Sequence, residues 1–285
     1  MNIYVAYENA VTSKRYINSY TEAGVYITQW EIQLTELYYG NNVLCVDVDG
    51  NLYKVDGDNH GITKINSSGV LTLVEYDSDV YFYNIATGPD GYIYTVEYDA
   101  DFNSGYISKR NASDLVSVAT KTIDPAGVKG NAWEGFTIDS DSNFYLTNAT
   151  DDRYEKWTWA DGLVASRSSA NAIRSGGLGV AGTTLGSLDG LGHHPITIPV
   201  ALDEDETDGV LDDITRPAKV GNIYGYLLYA GDDESSNLWI GKYSSALVKQ
   251  WTVMLADSTQ FTVASIAAYP FLTTPTVTTQ AVTDY

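Results

Sequence analysis

One recurring phrase constrains this chain more than any other feature. It runs Asp47-Val48-Asp49-Gly50-Asn51-Leu52-Tyr53-Lys54-Val55-Asp56 and continues as Ile62-Thr63-Lys64-Ile65-Asn66-Ser67-Ser68-Gly69. It reads as strand, tight Asp/Gly turn, strand, loop, strand and a second Gly turn. Asp and Gly supply the positive φ and the side-chain-to-backbone bonds that tight hairpins need. Variants of the phrase return along the chain. The turns closing each third strand end at Gly24, Gly69, Asp114, Gly162, Gly209 and Ala246, spaced 45, 45, 48, 47 and 37 residues apart. A period of about 40–50 residues with several short strands per unit is the mark of propeller blades.

The strands inside each unit agree. Tyr92-Ile93-Tyr94-Thr95-Val96, Asn143-Phe144-Tyr145-Leu146-Thr147 and Tyr226-Leu227-Leu228-Tyr229-Ala230 stand where Asn51–Val55 stands in the first copy. Apolar and polar residues tend to alternate in them, the period of a strand with two distinct faces. The 23 Tyr, 6 Trp and 6 Phe, with only 2 Met, also favour pleated surfaces over helices.

Closure follows from the two ends. Ile3-Tyr4-Val5-Ala6 reads as the second strand of a blade with no first strand before it. Phe261–Ala268 reads as a first strand with no second after it. Pairing them completes one blade and hides two strand edges. The expected fold is all-β: a six-bladed β-propeller over 1–271, closed by pairing of N- and C-terminal strands in one blade. Residues 272–285 form an extended tail or linker. The fifth unit, about 173–215, is the weakest, because Gly176–Gly182 and Thr183–Asp189 make a poor strand pair by composition.

The phrase resembles NHL-type repeats and the related SMP-30 (gluconolactonase) and strictosidine-synthase propellers over roughly residues 1–270. In gluconolactonase-like propellers, acidic and amide side chains at the channel mouth hold a divalent metal. Trp133-Glu134-Gly135-Phe136 resembles that family's Glu-Gly, so the resemblance implies Glu134, joined by Asn84 and Asn222, as candidate ligands for an ion such as Ca²⁺. The tail, Thr274-Pro275-Thr276-Val277-Thr278, resembles linkers to immunoglobulin- or fibronectin-like repeats of phage virion and bacterial surface proteins.

Composition narrows the function classes. A formal charge of −21 repels phosphate backbones and anionic bilayers, which argues against nucleic-acid and membrane partners. The N-terminal residues lack the pattern of a signal peptide, and no apolar run approaches the roughly 20 residues of a membrane helix. Cys45, the single cysteine, sits in an apolar run and reads as a buried, inert thiol. Asp47–Asn51 lacks the glycine and glutamate placement of an EF-hand, so it reads as a hairpin turn. Asp203-Glu204-Asp205-Glu206 with Asp208, Asp212 and Asp213 reads as a solvated acidic loop, with Ca²⁺ binding as the other reading. His193-His194 reads as a loop pair, since adjacent strand residues point to opposite faces. No nucleophile elbow, zincin helix or phosphate-cradling loop is present.

Aromatics are in surplus. Tyr98, Trp133, Trp157 and Trp159 are the candidate binding residues, and Tyr7, Tyr20, Tyr26, Trp30, Tyr38, Tyr39 and Trp251 could serve interfaces or sugar surfaces, with packing between blades as the other reading, expected for most of these aromatics. The expected function is a non-catalytic structural or binding propeller. It would belong to a virion (capsid decoration, tail or fibre) or an extracellular surface assembly, with protein subunits or surface glycan as partners. The alternative is a metal-dependent lactonase or esterase of the gluconolactonase type.

Overall fold

The repeats fold as the turn chemistry requires. The computed structural model describes residues 2–9, 12, 14–32, 43–55, 60–101, 104–124, 133–148, 151–169, 177–188, 195–204, 207–223, 225–235, 237–257 and 261–271. At 133, 134, 256, 257, 261, 262 and 264 only the backbone is described. Blade one holds β1 (Asn2–Asn9), β2 (Lys14–Thr21) and β3 (Tyr26–Ile32). Blade two holds β4 (Leu44–Val46), β5 (Leu52–Val55), β6 (Gly61–Ile65) and β7 (Leu71–Tyr76). Blade three holds β8 (Val80–Thr87), β9 (Ile93–Asp99), β10 (Gly105–Arg110) and β11 (Ser117–Asp124). Blade four holds β12 (Trp133–Ile138), β13 (Phe144–Asn148), β14 (Arg153–Thr158) and β15 (Gly162–Ser168). Blade five holds β16 (Gly179–Ala181), β17 (Thr184–Leu188), β18 (Pro195–Pro199) and β19 (Thr207–Asp208). Blade six holds β20 (Arg216–Ile223), β21 (Tyr226–Asp232), β22 (Asn237–Tyr243) and β23 (Lys249–Asp257), and β24 (Phe261–Ala268) returns to blade one.

Each blade is a four-stranded antiparallel sheet, and the order in blade one is β24-β1-β2-β3. The closing pair runs from Ile3 opposite Ala268 to Asn9 opposite Phe261. The innermost strands touch in a cycle: β24 on β4, then β8, β12, β16, β20 and back to β24. The ring is therefore closed by sheet pairing, as the two chain ends led us to expect.

The repeat is more regular in space than in sequence. The residue of left-handed φ in the turn before each outermost strand is Gly24, Gly69, Leu115, Gly162, Leu202 and Leu247, spaced 40–47 residues apart. Gly209, the anchor read from composition, instead lies just past β19. Three blades thus use leucine where the others use glycine. At Gly69 an added Cβ would overlap the Trp30 indole of the preceding blade, and at Gly24 it would crowd Trp251. At Leu115 and Leu202 the turn residue is itself buried, in clusters that also contain Leu73 and Ala165 of the preceding blade. One contact is made from either side of the same seam, so Trp30 and Trp251 are packing residues between blades.

Blade five forms its hairpin despite its composition. Val180 pairs with Leu185 across a turn at Gly182. Gly179 is required because a Cβ there would collide with the Gly221 carbonyl of the next innermost strand. The glycine content that weakens the strand signal is thus the means by which strands approach at the axis.

Candidate binding site

The repeated Asp turns come first, because they look like metal loops. The Asp47 carboxylate accepts from the Asp49 and Asn51 amides at 3.0 and 2.8 Å, from Asn51 Nδ2 at 2.8 Å and from the Tyr53 hydroxyl at 2.8 Å. Asp139 repeats the set with Asp141, Asn143 and Tyr145. Asp233 repeats it with Ser235, Asn237 and the Trp239 indole. The spacing is Asp at i, Asn at i+4 and an aromatic donor at i+6. A carboxylate has about four lone-pair positions, and here four donors take them. Burial pushes the Tyr53 and Tyr145 hydroxyls well up, and the adjacent carboxylates add to this, so both phenols stay donors. These turns are structural.

The axis of the ring is narrow. A void of about 30 Å³, lined by innermost-strand residues such as Cys45, Ile85, Phe136 and Ile266, occupies it. That is room for roughly one or two waters. Burial pushes the Cys45 thiol strongly up, in keeping with an inert side chain.

At the lower face, where the innermost strands end, the axis opens into a depression of about 420 Å³. Its rim is built from the residues just past four of those strands: Pro89, Asp139-Ser140, Gly182 and Gly225. Tyr269-Pro270-Phe271, leaving β24, form one wall. Tyr269 is buried and Phe271 half-buried against Leu44 and Val46, so the departing chain covers blade two's share of the mouth.

The candidate metal ligands do not gather at one level. The innermost strands carry bulges at Tyr83, Glu134 and Ala218, where the ladders skip a residue. Counting from the bulge, Asn84 is one residue further down its strand and Asn222 four. At about 3.3 Å per residue, the two asparagines are offset by roughly 10 Å along the axis. Ligands of one Ca²⁺ each lie about 2.3–2.6 Å from the ion, so Asn84 and Asn222 do not share one. Asn84 is fully buried, whereas Asn222 lines both the axial void and the lower depression. Glu134 and Trp133 lie on β12, and their side chains fall outside the described residues. So do His193, His194, Asp205, Glu206, Tyr38, Tyr39 and the tail 272–285. Among the described residues, no group of three or more His, Cys, Asp or Glu is placed to hold a metal.

The aromatic candidates are mostly absorbed by packing. Tyr98 and Trp157 are buried in the cluster between blades three and four, and Trp159 packs against it beside Tyr94 and Phe144. Trp157 donates its indole proton to buried Glu155 at 2.8 Å. Tyr7 donates to Asn18 at 3.2 Å, and Asn18 donates to Tyr20 at 3.0 Å. In the acidic loop, Asp212 and Asp213 pair with Lys249 at 3.6 and 3.1 Å, while Asp203 and Glu204 are exposed.

What composition did not single out is the outer edge. β3 exposes Tyr26 and Ile27, with Val25 just before it, and β7 exposes Leu71, Val74 and Tyr76, with Val70 before it. Neither strand contains Lys, Arg or Pro. The longer outer strands of the other blades expose apolar residues too, but β11 carries Lys121, β15 carries Arg167 and β23 carries Lys249. The signal was available as two apolar outer strands without a cation, once the strands were ordered within each blade.

No family model matches the chain, and no curated protein matches it. Solved structures do. A protein of unknown function from Bacteroides caccae aligns at TM-score 0.68 and 10% identity, covering 93% of this chain and 97% of that one. A chain of a nidogen/laminin complex aligns at TM-score 0.64 and 14% identity, covering 93% and 97%. A catalytically inactive variant of virginiamycin B lyase from Staphylococcus aureus, with quinupristin, aligns at TM-score 0.58 and 14% identity, covering 92% of each chain. At these identities the likeness is one of fold, and this chain shares its propeller architecture with proteins of differing roles.

Proposed function

We propose that the chain is a non-catalytic binding module of a larger assembly, docking a protein partner along the outer strands of blades one and two. The observation that carries this reading is the exposed, cation-free apolar edge of β3 and β7. An outermost strand leaves a row of backbone N–H and C=O groups unpaired, and proteins commonly guard such rows with Lys or Pro. Blades three, four and six have a cation there; blades one and two do not. A strand from a partner could extend either sheet, with main-chain bonds giving affinity and Leu71, Val74 and Tyr76 giving apolar contact. The resemblance of the tail to virion and surface-protein linkers supports a virion or cell-surface setting, with other protein subunits as the partners.

A photo-crosslinking residue at Val74, compared with one at Lys121 on the guarded edge of blade three, tests this in the native source. The expected result is a protein adduct from position 74 and none from 121. Equal adducts at both positions, no adduct at all, or Ca²⁺-dependent lactone hydrolysis by the purified chain would overturn it.

A further inference from the structure

The lower-mouth depression is separate from the outer edges of blades one and two, and three of its properties fit a ligand of one kind. Its size, about 420 Å³, lies within the roughly 300–1,000 Å³ of small-molecule sites. Its walls are apolar and partly aromatic: Ile138, Val180, Pro89, Pro270 and Phe271. Its polar side chains are few, and two of them are unspent. Neither the Asn222 amide nor the Ser140 hydroxyl makes a side-chain hydrogen bond among the described residues. An asparagine amide offers two donors and an acceptor at one point.

The charge pattern narrows the ligand. Among the described residues no lysine or arginine lines the depression, so an anion finds no counter-charge among them. Among the described residues Asp139 is the single carboxylate on the rim, and its lone pairs are already taken by four donors, so a cation finds no free carboxylate there. What remains is a neutral molecule with a C–H face for the proline and phenylalanine wall and hydroxyls for Asn222 and Ser140. We infer that the lower mouth binds a neutral sugar ring, such as a terminal hexopyranose of a glycan. The ring edge meets Asn222 and its apolar face meets Phe271.

Saturation-transfer NMR with the methyl glycosides of glucose, galactose and mannose at millimolar concentration tests this on the whole chain. Two variants accompany it: Asn222→Ala, which removes the amide, and Ser140→Trp, which fills the mouth from an exposed position. The expected result is transfer to the ring protons of at least one glycoside. It weakens by about fivefold or more in Asn222→Ala, the loss of about one kcal/mol for a hydrogen-bonding partner, and vanishes in Ser140→Trp. No transfer from any of the three overturns the inference, as does transfer that both variants leave unchanged. Matching thermal melts establish that the variants are folded. If Asn222→Ala fails to fold, Ser140→Trp alone decides.

Discussion

The Asp47 turn and the Asn222 depression share the lower face of the ring, and they differ in what their polar groups still have to give. The turn has a carboxylate, an amide and a phenol within one short loop, which is how a cation site looks in sequence. All of these groups are spent on one another. The depression brings the Asn222 amide and the Ser140 hydroxyl, from blades far apart in the chain, into an apolar wall, and neither makes a side-chain hydrogen bond among the described residues. Density of polar residues in sequence marks structure here, and residual hydrogen-bonding capacity marks the site.

The contrast is tested first at the turns. Asp139→Ala strands two backbone amides, an Asn amide and the buried Tyr145 hydroxyl, and should cost about 3 kcal/mol by urea unfolding; Asp47→Ala should cost somewhat less, because the Tyr53 hydroxyl keeps the Ala112 carbonyl. Because four donors already fill each carboxylate, Ca²⁺ should leave the melting temperature of the parent chain unchanged. A Ca²⁺-dependent rise would show that these turns still have acceptor capacity to give. Next in size is the seam between blades. Gly69→Ala adds a Cβ into the Trp30 ring at a φ of 81°, and should cost about 2–3 kcal/mol. The smaller Trp30→Leu side chain should recover part of that loss in the double variant.

A smaller effect concerns pH. The Asn237 side-chain and backbone donors, with the Trp239 indole, hold the Asp233 carboxyl at about 2, below its ordinary 3.8. A folded-state value lowered in this way contributes stability that is present above pH 3.8 and lost as pH falls towards 2. The difference in melting temperature between the parent chain and Asp233→Asn should therefore be widest above pH 4 and shrink between pH 4 and 2. The smallest effect belongs to the depression. Asn222→Ala removes no bond made within the described protein and should change stability by less than about 0.5 kcal/mol. A larger loss would mean that Asn222 is structural after all.

Some of this was legible in the amino-acid order. Turn chemistry is local, so Asp-x-x-Gly and Gly turns marked the hairpins, and the unpaired first and last strands announced the closing blade. Blade five was less legible because Gly179 answers a clash with Gly221, which is distant in sequence. The leucines at 115, 202 and 247 were invisible as turn residues because nothing local favours leucine at positive φ; burial beside the neighbouring blade, complete at Leu115 and Leu202 and partial at Leu247, compensates them. Glu134, Asn84 and Asn222 seemed comparable because their units align, yet bulges and strand position put the two asparagines at different depths.

Amino-acid order alone sets the strand content and the hairpin turns, which depend on neighbours within a few residues, and with them the period and the strong negative charge, which are read by counting along the chain. The assembled ring was needed to learn which polar groups are already satisfied, which aromatics lie in seams between blades, and that Asn222, Ser140 and Phe271 meet at one mouth. Those facts depend on contacts between blades, and a side chain's remaining capacity to bind is known only after its partners in the fold have been counted.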